Sequence, residues 1–240
     1  MDNNLPTYAC SDITKGEQIQ RMFDSIAPRY DFLNHLLSVG IDRMWRRALI
    51  KDLEVEDPHA VLDVATGTGD LAIAMARGGI RKITGSDISE GMLAIGRKKA
   101  DKAGLDIDMV MADAQNLPFG EGSFDAVTSA FGIRNFPDPQ TALDEMFRVL
   151  HPGGVVYILE FSKPDNNIIL RLFRFYFHNV FPLVGRIVSH DSDAYKYLPR
   201  SVDAFPCGER FAGMMLRAGF SDVKIRRMTG GIATIYKARK

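Results

Sequence analysis

The chain of 240 residues has only two cysteines, no surplus of either charge, and no long apolar run free of charged residues. Cys10 and Cys207 stand near opposite ends. That excludes a disulfide framework and a cysteine metal cluster, and it suits a reducing compartment. Lys and Arg together number 30, and Asp and Glu together number 30. A duplex-binding protein carries surplus positive charge to displace counterions, so nucleic acid is excluded as a partner. The same balance denies the chain an overall cationic field, so any membrane contact is expected to be local and apolar. The most apolar long stretch, Ile168 to Val188, is interrupted by Arg171, Arg174, His178 and Arg186. A spanning helix needs roughly 20 mostly uncharged apolar residues, and this stretch fails that test. The start, Met1-Asp2-Asn3-Asn4, is acidic and polar, unlike a signal peptide. A cytoplasmic location is expected, with peripheral contact at the inner face of the membrane. Internal repeats, low-complexity tracts and a spaced His/Cys/Asp/Glu ligand set are all missing, so no metal is expected.

What is present is ordinary globular composition, 46% apolar and 25% charged, and a repeating order of elements. Ala60-Val61-Leu62-Asp63-Val64 reads as a buried strand ending in glycines, followed by a helix from Leu71 to Ala76. Lys82 to Asp87 is a second strand, with a helix from about Gly91 to Ala103. Asp108 to Ala112 and Phe124 to Ala130 are the third and fourth strands. Asp138 caps the next helix, Pro139 suits its first position, and Ala142, Leu143, Met146, Phe147 and Leu150 make one apolar face. Pro152-Gly153-Gly154 stops that helix, and Val155 to Leu159 is a fifth strand. This rhythm predicts an α/β fold with a parallel sheet covered by helices on both faces. Before it, two amphipathic segments carry Ile19, Met22, Phe23 and Ile26, then Phe32, Leu33, Leu36 and Leu37, with Pro28 separating them. After it come a helix around Phe211 to Arg217 and two β-prone runs, Val223 to Ile225 and Ala233 to Tyr236, that predict a terminal hairpin.

Thr66-Gly67-Thr68-Gly69-Asp70 joins the first strand to the first helix of this rhythm, where open parallel sheets bind nucleotide-like ligands. Gly67 and Gly69 let the backbone turn tightly and approach a ligand closely. The run also fits the relaxed dinucleotide fingerprint. Electrostatics separates the candidates. A dinucleotide sets its pyrophosphate at the helix start, where Asp70 stands with Asp63 close by, and carboxylates there repel it. S-adenosylmethionine brings an ammonium and a sulfonium and no phosphate, so it is the expected cofactor. Asp70 also reads as a simple helix-capping carboxylate. Asp87 ends the second strand at the position that accepts hydrogen bonds from ribose hydroxyls. Asp113 could accept from an adenine amine, and Ala114 leaves room for the ring.

With these residues the chain resembles the class I S-adenosylmethionine-dependent methyltransferases, and closely resembles the ubiquinone/menaquinone biosynthesis C-methyltransferase family. The resemblance runs through Tyr30 to Asn34, Trp45-Arg46, Val61 to Asp70, Asp87-Ile88-Ser89, Leu117-Pro118-Phe119 and Phe124-Asp125. It continues through Phe131-Gly132-Ile133-Arg134-Asn135, Arg148 to Gly154, Tyr197-Leu198-Pro199, Phe205-Pro206, Ala218-Gly219-Phe220 and Thr229 to Ala233. It implies a Rossmann-like, mostly parallel seven-stranded sheet with an antiparallel terminal hairpin. Cofactor contacts are expected at Asp63, Gly67, Thr68, Gly69, Asp87, Asp113 and Ala114. The family usually has serine before its Phe-Gly, where this chain has Ala130. Ser129 cannot substitute in an extended strand, because neighbouring residues face opposite ways.

The resemblance also implies a ring carbon of a prenylated quinol as methyl acceptor, with demethylmenaquinol preferred. Tyr30, Arg134 and Asn135 are the catalytic candidates. Arg134 would steady a phenolate, Tyr30 would orient or relay a proton, and Asn135 would hold Arg134 or the substrate oxygen. Aromatic residues of the stretch Ile168 to Val188 are expected to line an entry for the isoprenoid tail. A single domain is expected, with a helical lid (1–58), a cofactor-binding core (59–162), a substrate-side insertion (163–206) and a C-terminal helix and hairpin (207–240). A homodimer is compatible with this reading. Rival readings are a ubiquinone-pathway methoxy-benzoquinol or other small-molecule methyltransferase, an NAD-dependent dehydrogenase, and a non-catalytic cofactor-binding module.

Overall fold

Thr14 and Glu17 begin the first helix by capping each other. The Glu17 carboxylate accepts the Thr14 N–H at 2.8 Å, and Thr14 Oγ1 accepts the Glu17 N–H at 3.3 Å. The helix they start is α1 (Lys15–Leu37) in a computed structural model that describes residues 14–38, 40–164, 171 and 192–240. Pro28 therefore does not separate two helices; it lies inside one. An interior proline removes one N–H and crowds the carbonyl four residues back, here that of Asp24, at a cost of about 3 kcal/mol. Contacts on both sides of Pro28 offset this. Asp24 accepts hydrogen bonds from the Ser89 hydroxyl and, at 3.2 Å, from the Gly91 N–H. Asp31 accepts from the Thr68 hydroxyl and, at 2.7 Å, from Lys99 Nζ. Tertiary anchoring overrides the local signal.

A second helix, α2 (Ile41–Glu54), was not expected from the sequence. Trp45, Leu49 and Leu53 recur every four residues and are buried on one face. The Trp45 ring sits 6.0 Å from Phe131 and 6.1 Å from Phe161, and its Nε1 donates to Thr229 Oγ1 at 2.8 Å.

The rhythm of strands and helices then follows as expected: β1 (Ala60–Val64), α3 (Asp70–Arg77), β2 (Lys82–Asp87), α4 (Glu90–Lys102), β3 (Asp108–Met111), β4 (Phe124–Ala130), α5 (Pro139–Val149) and β5 (Leu150–Phe161). Asp138 caps α5 by accepting the Gln140 N–H at 2.9 Å, with Pro139 in its first turn. The fifth strand is longer than its apolar run. It begins at Leu150, which pairs with Phe124, and the register shifts beyond that pair. After it come α6 (Ser192–Ala204), α7 (Glu209–Arg217), β6 (Ser221–Met228) and β7 (Ala233–Arg239).

The seven strands form one sheet in the order β3-β2-β1-β4-β5-β7-β6. The first five pair in parallel, and β7 runs antiparallel to both β5 and β6. Neighbouring residues of a strand feed opposite layers of core. Val61 and Tyr157 join α2 and α3 on one face, with Trp45, Leu49 and Met75. Leu62 and Ile158 join α5 and α7 on the other, with Leu143, Met146 and Phe211. The edge strand β6 carries Lys224, Arg226 and Arg227, which discourages pairing with another chain.

Candidate active site

In a sheet of this order the connections from β1 and β4 leave on opposite sides, so a crevice opens at their carboxyl ends. A cleft lies there, and α1 walls it with Ile19 and Phe23. The backbone at its mouth is bent in a way that few side chains tolerate. Ala65 (φ 55°) follows β1 and Phe131 (φ 61°) follows β4, both left-handed without being glycine. Such strain persists only where surrounding contacts hold it, and here Phe131 N donates to Leu159 O at 2.8 Å.

Asp63, Gly67, Thr68, Asp87, Asp113 and Ala114 all line this cleft. Gly67 (φ 59°) needs its glycine for conformation, and the space beside it is open. Gly69 is different. It caps α3 with φ 77° but faces away from the cleft, and a Cβ there would meet Met109 Cε at 2.7 Å. At Gly132 the two walls are in close contact: an added Cβ would stand 2.5 Å from Ala65 Cβ. Gly132→Ala should force the β1 and β4 loops apart, costing about 1–3 kcal/mol of stability. Urea unfolding would measure it, and a loss under about 0.5 kcal/mol would mean the loops separate freely.

Asp63 is fully buried, and each carboxylate oxygen accepts a threonine hydroxyl at 2.7 Å, from Thr66 and from Thr128. Burial pushes its carboxyl up to about 6, against the pull of those hydroxyls and of Arg46. Asp87 accepts the Gly67 N–H at 2.8 Å on one oxygen and the Ser89 N–H at 2.9 Å on the other. It thereby pins the glycine loop to the end of β2. Burial raises its carboxyl too, opposed by these backbone bonds. Asp113 is exposed and accepts the Gln115 N–H at 2.9 Å.

One electrostatic expectation changes. Asp70 lines the cleft, but its charge is matched by Lys99 Nζ at 2.5 Å, with Arg46 at 4.0 Å. Asp70 is therefore a weak repellent for an anion, and Asp63, Asp87 and Asp113 are the cleft carboxylates that form no ion pair among the described residues. Arg46 is the cleft's cation among the described residues, and it is held by Asp42.

The catalytic candidates separate. Asn135 lines the cleft, is buried, and its Oδ1 has no hydrogen-bond partner among the described residues. Arg134 is not among the described residues that line it. Its Nη1 pairs with Glu160 Oε1 at 2.9 Å and also donates to the Phe131 carbonyl, with the side chain only 7% exposed. The side chain of Tyr30 lies outside the described residues, as does the stretch Ile168 to Val188 apart from Arg171. Sequence reasoning missed two partners here. Glu160, wholly buried at the end of β5, also accepts the Phe161 N–H at 2.7 Å. Tyr197 of α6 has a buried hydroxyl without a partner among the described residues, within the electrostatic reach of Arg134 and Glu160. An acid ending a fully apolar strand was the available signal for Glu160. Ala130 lines the cleft while Ser129 does not, and the Ser129 hydroxyl is buried without a partner among the described residues.

The cleft's donor set fits a cationic, phosphate-free ligand: four carboxylates line it against a single guanidinium already paired. Comparison with known proteins points the same way. A model of the ubiE/COQ5 methyltransferase family matches residues 12–240. A demethylmenaquinone methyltransferase of Bacteroides fragilis is 48% identical over 233 residues, covering 96% of this chain and 95% of the relative. A ubiquinone/menaquinone biosynthesis C-methyltransferase of Geobacter sulfurreducens is 48% identical over 244 residues, covering 100% and 94%. Among solved structures, a Thermotoga maritima S-adenosylmethionine-dependent methyltransferase aligns with TM-score 0.69 at 19% identity, over 92% of this chain and 99% of that one. That last likeness is one of fold. On the family model and the two relatives, the chain belongs to the ubiE/COQ5 methyltransferase family.

Proposed function

We propose that this chain is the S-adenosylmethionine-dependent methyltransferase that converts demethylmenaquinol to menaquinol, placing a methyl group on a quinol ring carbon. The observation that carries the cofactor half is the charge of the cleft, in which Asp63, Asp87 and Asp113 form no ion pair among the described residues. When bound, S-adenosylmethionine supplies a methyl group activated by a sulfonium. Asp63 and the Gly67–Gly69 loop would hold its charged end, Asp87 the ribose hydroxyls, and Asp113 with Ala114 the adenine.

The chain's further work is alignment and proton handling. Near-attack positioning alone can supply roughly 7–11 kcal/mol in favourable cases. Asn135 Oδ1, buried and unpartnered in the cleft, is our candidate to accept the quinol O–H, which shifts electron density to the neighbouring carbon. That carbon would accept the methyl group, and its ring proton would leave to solvent as the ring regains aromaticity. Arg134 acts as a positioning residue in this reading: held by Glu160, it grips the Phe131 carbonyl and so sets the turn that carries Asn135. Tyr30, next to Asp31 in α1, remains the candidate proton relay.

We place all of this in one catalytic domain whose lid is α1. The acceptor's isoprenoid tail keeps it in lipid, so turnover is assigned to the cytoplasmic membrane surface. Among the described residues no helix is long and apolar enough to cross a membrane.

The test is turnover with purified protein. Demethylmenaquinol should gain one methyl group in step with S-adenosylhomocysteine release. Methylation of a methoxy-benzoquinol alone would reassign the substrate, and methylation of neither would reject the reaction.

A pH dependence follows from Asp63. Its neutral form is favoured in the fold, so its contribution to stability is full below 3.8 and lost as pH rises through about 6. Binding a cation needs the opposite state. S-adenosylmethionine affinity should therefore fall below pH 6, by about tenfold at pH 5, because roughly one Asp63 in ten is then ionised. Calorimetric titration at pH 5 and 7.5 checks this, and Asp63→Asn should flatten the profile. An unchanged slope in that variant would remove Asp63 from the role.

A further inference from the structure

The charge balance of the whole chain is not kept locally. Beside the cleft, α2, α3 and α4 enclose an open groove lined by Arg43, Arg46, Arg47, Arg77, Lys99 and Lys102, against one carboxylate, Asp70. Arg46 and Lys99 are committed to Asp42, Asp70 and Asp31. Arg43, Arg47, Arg77 and Lys102 are exposed, and none forms an ion pair among the described residues.

Two of these four have an ordinary explanation. Arg77 and Lys102 stand in the last turns of α3 and α4, where the helix dipole favours cations. Arg43 and Arg47 do not. They sit in the first half of α2, toward the end where the dipole disfavours positive charge. Beside them on α2 are the large apolar residues Met44, 51% exposed, and Ile41, 37% exposed. A free phosphate or a nucleic acid would satisfy the cations but leave Met44 and Ile41 in water. An anionic bilayer satisfies both, since its headgroups carry phosphate and its acyl boundary takes apolar side chains.

We propose that this groove docks the protein on an anionic lipid bilayer, seating phosphate-bearing headgroups against Arg43, Arg47, Arg77 and Lys102. The inference rests on the reading of the acceptor as a tail-bearing quinol, and it deepens that reading by naming the surface that meets the membrane. Membrane contact is then local, as the sequence required, but basic in the main and only fringed with apolar residues. Arg46 and Asp70 line both groove and cleft, so docking sets the cleft beside the lipid.

Flotation of the full chain with phosphatidylglycerol–phosphatidylcholine vesicles tests it, with pure phosphatidylcholine vesicles and a single-stranded oligonucleotide as comparisons. Each cation near an anionic surface is worth about fivefold in binding. Arg43→Gln, Arg47→Gln, Arg77→Gln and Lys102→Gln combined should weaken binding to the anionic vesicles by roughly 100-fold or more. Arg43→Lys with Arg47→Lys and Arg77→Lys keeps the charge and should keep the binding. The combined glutamine variant should still methylate a tail-less, water-soluble quinol at the parent rate, which separates docking from chemistry. Equal flotation with neutral vesicles, unchanged binding in the glutamine variant, or no binding by the parent overturns the proposal. Tighter binding to the oligonucleotide, lost in the same variant, overturns it in favour of nucleic acid. A parent that docks through these residues yet methylates no quinol leaves the docking standing and rejects the reaction.

Discussion

Glu160→Ala should lower the unfolding free energy by about 3–5 kcal/mol, the cost of leaving one member of a buried ion pair without the other. Glu160 is wholly buried and Arg134 is 7% exposed, so water cannot replace the lost carboxylate. Three donors lose their acceptor together: Arg134 Nη1 at 2.9 Å, the Arg134 N–H at 3.3 Å and the Phe161 N–H at 2.7 Å. The guanidinium keeps the Phe131 carbonyl and the face of the Phe161 ring, 5.4 Å from its centre, which soften the loss without cancelling the charge. Burial already raises the Glu160 carboxyl, so the pair survives on geometry and not on favourable surroundings. Replacing both partners, Arg134→Met with Glu160→Leu, should recover much of the stability, because no charge then stays buried. It should not recover turnover, since the Phe131 carbonyl would keep only the long 3.5 Å bond from Asn135 Nδ2. Urea unfolding together with methyl-transfer assays decides the matter. A Glu160→Ala loss below about 1 kcal/mol would mean that the pair is hydrated, and normal turnover in the double variant would remove Arg134 from the positioning role.

How much of this was legible depended on whether the deciding contact was local. The strands β1, β4 and β5 could be read because both their faces are covered, so Val61-Leu62 and Val155 to Leu159 are continuous apolar runs. The glycine loop and its carboxylates could be read because strand, turn and helix start are adjacent in the chain. The course of α1 through Pro28 could not, since what holds it there is Asp24 on Ser89 and Asp31 on Thr68, contacts 65 and 37 residues away. The neutralisation of Asp70 was hidden for the same reason: Lys99 belongs to α4. The helix α2 was legible in principle from Trp45, Leu49 and Leu53, but four arginines and lysines among its residues mask that face in a simple reading. An arginine suits a phenolate, which points Arg134 toward the substrate, but its side chain is bound to an acid at the far end of another strand.

Asp87→Asn should weaken S-adenosylmethionine binding by about 100-fold, although it changes a single atom. Both Asp87 oxygens already accept backbone N–H groups, Gly67 on one and Ser89 on the other. An asparagine amide can satisfy only one of them. Whichever way it turns, its NH₂ faces a second donor, so the substitution sets donor against donor at a partly buried position. Losing a hydrogen bond to a charged acceptor and stranding its donor costs about 2–3 kcal/mol. The cost falls on the cofactor site because the Gly67 N–H is what fixes the left-handed turn of the loop, with φ 59° at Gly67. The ribose would lose its charged acceptor in the same step. Two effects thus converge on one ligand, while β2 keeps its pairing with β1 and β3, so the fold should lose less than the binding does. Calorimetric titration gives the affinity and urea unfolding gives the stability. An affinity within about threefold of the parent would show that the loop holds its shape without Asp87 and that the ribose is recognised elsewhere.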